Sequence, residues 1–210
     1  MSLVAKQSGG GSIAPIEAGT HPAVCVSLID IGEQFNETFK KSSRKVVIQW
    51  EITDEQITVE GKQVNRTMSQ TYTMSLNERS ALYRDLISWR GKPFTKDELD
   101  GFELTKILGI PCLITVTHQE RNGSTYANIS GIAKAMKGMN IERTLPLFTF
   151  DLDSDPLEKM EGLPEWIVTK IKASTTYQER VAGSGAENGA EYDGPPELVD
   201  LDDGDGQLPF

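Results

Sequence analysis

Arg44-Lys45-Val46-Val47-Ile48-Gln49-Trp50-Glu51-Ile52-Thr53 is the stretch on which the fold turns. Val46, Ile48, Trp50 and Ile52 are apolar at alternate positions. Lys45, Gln49 and Glu51 lie between them and are polar, with Val47 the exception. Successive side chains of a strand point to opposite faces, so this alternation predicts a half-buried strand. A turn at Glu60-Gly61-Lys62 leads into residues 63–74. There Val64, Met68, Tyr72 and Met74 oppose Asn65, Thr67, Ser69, Thr71 and Thr73. The two runs read as an antiparallel hairpin. Upstream, residues 21–31 are rich in valine, leucine and isoleucine and form a first strand, followed by a polar loop over residues 32–43.

Downstream the period becomes helical. Asn77 is the expected N-cap of a helix over residues 77–90. Leu82, Leu86 and Trp89 recur at i, i+4 and i+7, and Gly91 and Pro93 supply the stop. A shorter helical piece is expected over residues 103–108. Strands over residues 111–118 and 124–132 follow, joined by Arg121-Asn122-Gly123-Ser124, a hairpin turn signal. The class is therefore mainly β with minor α. The order of three strands, one helix and two strands is that of an OB-fold, a five-stranded Greek-key barrel with its helix between strands three and four. Other α+β folds share this count, so the closed or nearly closed barrel over residues 21–132 is an expectation. In it, the helix plugs one end and turns Leu82, Leu86 and Trp89 inward. Beyond Ala133 a helical turn is expected at 134–138 and an extended piece on the barrel at 146–150. A helix is expected over 164–173, with Pro164 at its first position and an apolar face of Trp166, Ile167 and Ile171.

The net charge of −10 is unevenly placed. Residues 183–210 hold eight acids and no lysine or arginine, so the remainder is near neutral. That segment has too few bulky apolar groups to offset its ordering entropy and is expected to be a disordered acidic tail. The expected organisation is a flexible lead-in (1–20), a core (21–132), an extension packed on it (133–182) and the tail (183–210). No apolar run approaches the roughly 18–20 residues of a membrane span. The first twelve residues lack the hydrophobic region of a signal peptide, so a cytoplasmic location is expected.

Cys25 and Cys112 lie in apolar surroundings and read as buried free thiols. Zinc bound with His21 and His118 is disfavoured. Along strands, His21 and Cys25 would be roughly 13 Å apart, and Cys112 and His118 roughly 20 Å. Asp151, Asp153 and Asp155 begin like a calcium loop, but Pro156 and Gly162 occupy the positions that need Gly and Glu. There is no phosphate-binding Gly-rich loop, no zinc-protease motif and no nucleophile elbow. No metal, cofactor or catalysis is expected.

One loop brings together the ingredients for single-strand binding. Phe35, Phe39, Lys40, Lys41, Arg44 and Lys45 place two aromatics and four bases close in sequence. Single strands are held by base stacking on aromatic rings and by cationic contact with phosphates. In the alternative reading, the rings fold back on the core and the lysines only solvate a loop. Arg66, near a strand end, is expected at the barrel rim. Arg121 and Tyr126, beside the last turn, border the same groove. Trp50 and Tyr72 lie on the apolar strand faces and read as core.

The last residues are Asp202-Asp203-Gly204-Asp205-Gly206-Gln207-Leu208-Pro209-Phe210. This end resembles the tip of bacterial and phage single-stranded DNA-binding proteins, where acids precede a terminal hydrophobe-Pro-Phe. Residues 21–132 are more diffusely similar to the phage members. Gly204, Gly206 and Gln207 depart from the pattern by interrupting the acids. The resemblance implies a single-stranded DNA-binding core in the cytoplasm of a host cell, and a possible homo-oligomer. It further implies a tail that docks replication or recombination proteins through Asp202, Asp203, Asp205, Leu208, Pro209 and Phe210. Phe210 suits an apolar pocket, and the aspartates suit a basic surface. Two other readings remain: an interaction protein that binds no DNA, and a nuclease or recombination accessory enzyme.

Overall fold

The computed structural model describes residues 14–187. The rest of the expected lead-in lies outside the described residues, as do the docking residues Asp202, Asp203, Asp205, Leu208, Pro209 and Phe210. The chain is mainly β. Its strands are β1 (Gly19–Asn36), β2 (Lys41–Val59), β3 (Lys62–Thr73), β4 (Pro111–Arg121), β5 (Ser124–Lys134) and the short β6 (Phe148–Phe150). Its helices are α1 (Ala81–Arg90), α2 (Lys96–Asp100), α3 (Glu165–Lys172) and α4 (Thr175–Glu187). None of the described helices is long and apolar enough to cross a membrane.

The β2–β3 and β4–β5 hairpins turn on Glu60-Gly61 and Asn122-Gly123, all four residues with positive φ. Two consecutive positive φ values match the right-handed twist of the flanking strands, which is why each turn needs only two residues. The sheet order is β3-β2-β1-β4-β5, with neighbours antiparallel. β6 lies parallel to Ser27–Ile29 of β1, where the β4 ladder has ended.

Of the expected closed or nearly closed barrel, closure is corrected here, because the sheet is open: β3 and β5 are its two edges. Part of the expected flexible lead-in stands at this seam. Ile16 is buried in the core beside the edge strands. Arg66 donates to the Ala14 carbonyl at 2.7 Å, and His118 Nε2 to the Ile16 carbonyl at 2.7 Å. Residues 14–17 are therefore a packed strap.

β1 and β2 are buried on both faces. One face meets a core built on Trp50, Ile48, Ile114, Leu82, Leu86 and Trp89. Trp50 meets Tyr72 edge-on at 6.5 Å, and Trp89 Nε1 donates to the Pro111 carbonyl at 3.0 Å. Trp50 and Tyr72 are thus core residues. The other face of Ile29, Ile31 and Val47 is covered by Phe150, Leu152, Ile167 and Ile171 of the extension. Each such side chain contributes about 1.5–3 kcal/mol on full burial.

Several boundaries differ from expectation. Ser80, not Asn77, caps α1, its Oγ accepting from the Tyr83 amide. Asn77 closes a turn just before it, accepting from Arg79 N. In place of the helical turn expected at 134–138, β5 runs through Lys134 and a single turn follows, closed by the Met139 amide on the Met136 carbonyl at 3.2 Å with Gly138 at positive φ. Trp166 is 43% exposed, so only Ile167 and Ile171 of its helix face the core. α4 continues through Glu187, past the expected start of the tail at 183.

Candidate nucleic-acid interface

The loop expected over residues 32–43 is mostly strand. β1 and β2 stay paired out to Phe35↔Ser42 and Asn36↔Lys41, leaving a four-residue tip. Asn36 Oδ1 accepts from the amides of Thr38 and Phe39, a side-chain mimic of a backbone turn. Phe35 is 53% exposed and Phe39 78%, and neither belongs to either core. Lys40 Nζ lies 5.9 Å from the Phe35 ring centroid and pairs with Glu37. Lys41 is exposed beside them.

Arg44 is in a different setting. Its guanidinium binds the Asp30 carboxylate and lies 2.7 Å from Asp153. The hydrogen bonds it donates to Asp30 and, to a lesser extent, to Asp153 raise its pKa still further. These carboxylates come from β1 and from the segment after β6, so nothing near Arg44 in sequence signals them. Arg44 belongs to the base of the hairpin, and a phosphate would have to compete for it.

Lys45 leads onto a second surface. Its Nζ lies 3.2 Å from Thr73 Oγ1, and Gln49 Nε2 donates to Thr67 Oγ1 at 3.1 Å. Thr67, Ser69, Thr71 and Thr73 alternate along β3, opposite its core-facing Met68 and Tyr72. Hydroxyls of this kind are common phosphate partners. Their alternation is legible as strand parity, which by itself does not single them out as a candidate surface.

The remaining candidates gather at the open seam. A groove of about 810 Å³ runs between Arg66–Ser69 of β3 and Gly123–Ala127 of the β4–β5 hairpin, with Pro15 and Ile16 on its wall. Tyr126 is 52% exposed there. Arg66 is occupied by the Ala14 carbonyl and lies 3.6 Å from Glu55. Arg121 is exposed and donates to Gln119. The nine candidates thus form two groups: Phe35, Phe39, Lys40, Lys41, Arg44 and Lys45 on the β1–β2 hairpin, and Arg66, Arg121 and Tyr126 around the seam. β1 pairs with β2 at Asn36 and with β4 at Gly19, so the two groups lie toward its opposite ends.

The cysteines and His21 take no part in either group, whereas His118 reaches the seam through the Ile16 carbonyl. Cys25 and Cys112 are buried free thiols, and burial pushes the Cys25 thiol up to about 12. His21 lies between the Asp54 carboxylate and the Glu17 carbonyl, at 3.1 and 3.0 Å. No protein-family model matches the chain, and no curated protein matches it.

Proposed function

We propose that this protein binds single-stranded DNA with little sequence preference, on an OB-type core, and acts by binding rather than catalysis. The observation that carries the reading is the β1–β2 hairpin tip, where two phenylalanine rings stand in solvent beside lysines and serve neither core. Exposing two such rings forgoes roughly 1.5–3 kcal/mol of burial each. Stacking on a base returns about 1–3 kcal/mol per ring. The strand order, with α1 between β3 and β4, supports the OB assignment. In this reading the strap at residues 14–17 occupies the seam that a ladder would otherwise close. The hydroxyl row on β3 and Lys45 continue the path for the phosphates. The terminal Leu208-Pro209-Phe210 and its aspartates recruit a replication or recombination protein, as the resemblance to phage single-stranded DNA-binding proteins implies.

Fluorescence anisotropy with labelled oligo-dT tests this. The expected result is saturable binding that weakens with salt and is reduced in Phe39→Ala. Absence of binding at low salt refutes the reading and favours an interaction protein. Metal-dependent shortening of the oligonucleotide refutes it in favour of a nuclease.

A further inference from the structure

A second groove, of about 390 Å³, opens at the base of the same hairpin, between the segment around Leu104 and β6. Its floor is apolar: Leu28, Val46 and Phe150 are buried beneath it, and Met74 is 42% exposed. Its rim is acidic. Asp30, Glu103, Asp151 and Asp153 stand around it, with Arg44 the one cation among the lining residues. Four carboxylates against one guanidinium give the rim a formal charge of −3. Asp151 and Asp153 keep more than half of their side-chain surface in solvent although Arg44 lies between them. The acid triplet that fails as a calcium loop thus supplies two residues to this rim.

We propose that this groove docks a protein segment bearing one bulky apolar side chain flanked by lysine or arginine. The apolar floor takes the side chain, and the rim carboxylates take the flanking cations. Charge decides the class of occupant. Nucleic acid meets like charge at the rim. So does the chain's own terminus, where Asp202, Asp203 and Asp205 precede Leu208-Pro209-Phe210. A basic segment meets opposite charge, and its apolar residue covers the Met74 surface.

The test uses the full-length protein and a capped, fluorescein-labelled peptide, Arg-Lys-Trp-Leu-Lys-Arg. A saturable anisotropy rise that weakens with salt is expected. Glu103→Lys, on the exposed rim, should weaken binding about tenfold. The double variant Glu103→Lys/Asp153→Lys should weaken it further. Glu103 lies outside both cores, so its variant should melt like the parent and keep the test readable. A control peptide with glutamate at every basic position should not bind. The proposal is overturned by absence of saturable binding, by equal binding of both peptides or by equal binding to Glu103→Lys. Stronger binding of a peptide copying the chain's last nine residues overturns it as well, and assigns the groove to the tail.

Discussion

Glu51→Gln is a change of one atom whose cost can be worked from the structure. Glu51 is fully buried on β2, on the face covered by the extension. Its Oε1 accepts from Thr144 Oγ1 at 2.6 Å, Asn65 Nδ2 at 2.7 Å and the Thr144 amide at 2.8 Å. Its Oε2 accepts from the Leu145 amide at 3.0 Å. Burial alone pushes this carboxyl up. The bonds from Thr144, Leu145 and Asn65 outweigh burial and hold it below the usual carboxylate range. In Glu51→Gln an amide group replaces one oxygen and sets a donor against a donor. A charge-assisted bond is worth roughly 1.5–3 kcal/mol and an unsatisfied buried donor costs about 1–3, so a loss of about 2–4 kcal/mol is expected. For a chain of this size that is a fall of roughly 5–15 °C in Tm. Because the folded pKa is depressed, the carboxylate's contribution is complete above its unfolded value near 4.3. It is lost as pH falls through the lower folded value. A protonated Glu51 resembles glutamine, so the gap between parent and variant should close in that acid window. Urea unfolding of both proteins from pH 7 down to pH 3 measures it. Equal stability at pH 7, or a gap that persists unchanged in acid, would show that this carboxylate does not pin the extension.

Phe39→Ala and Phe35→Ala should each cost roughly 1–3 kcal/mol in oligo-dT affinity at unchanged Tm; full affinity in anisotropy titrations would exclude that ring from stacking. Lys40→Ala/Lys41→Ala should lower the log–log salt slope by about 1.4, from two phosphate contacts at about 0.7 each. A salt series reads this directly, and an unchanged slope moves the phosphates elsewhere. Gly32→Ala places a Cβ 2.6 Å from Ser174 Oγ and 2.7 Å from Leu152 Cδ2, at a residue with φ of +70°. Strain and overpacking together should cost about 2–4 kcal/mol and expose residues 146–187 to limited proteolysis; wild-type resistance would contradict the tight approach. Deleting residues 188–210 removes acids tethered at roughly millimolar effective concentration. It should therefore raise oligo-dT affinity at low salt and abolish capture of a replication partner, and an unchanged affinity would show that the tail does not compete.

The strand pattern was legible because β2 keeps one strict apolar face and β3 an apolar face interrupted by Arg66 and Gln70. Trp50 and Tyr72 could be assigned to the core on parity alone. What parity could not supply was the second core. Val47, the exception in an otherwise alternating strand, was its signal: it is apolar because Phe150, Leu152 and the helices of the extension cover that face. Glu51 follows the alternation as if solvent-facing, yet it is fully buried, because Thr144 and Leu145, which cover and bond it together with Asn65, lie more than ninety residues downstream. The helix α2 was not expected, although its Thr95–Glu98 capping box is formed entirely between neighbouring residues. The tip phenylalanines were identifiable as candidates, but only the structure shows that they stand clear of both cores. The salt links of Arg44 depend on residues brought together by the fold and had no local signal.

Those links change how a nucleic acid would be held. The hairpin offers four cations in sequence, but Arg44 is matched by Asp30 and Asp153, and Lys40 already contacts Glu37. Lys40, Lys41 and Lys45 then set the electrostatic ceiling, and at about 0.7 per phosphate contact the salt slope should stay near 2. A slope this shallow cannot supply tight binding alone. On the proposed function, the affinity would then rest mainly on Phe35 and Phe39, since stacking is insensitive to salt and to base identity. If the proposed function holds, a weakly basic, aromatic-tipped hairpin on an acidic chain should favour unstacked single strands over duplex, since only the single strand presents free base faces to the rings; equal anisotropy affinity for a duplex of the same length would refute this.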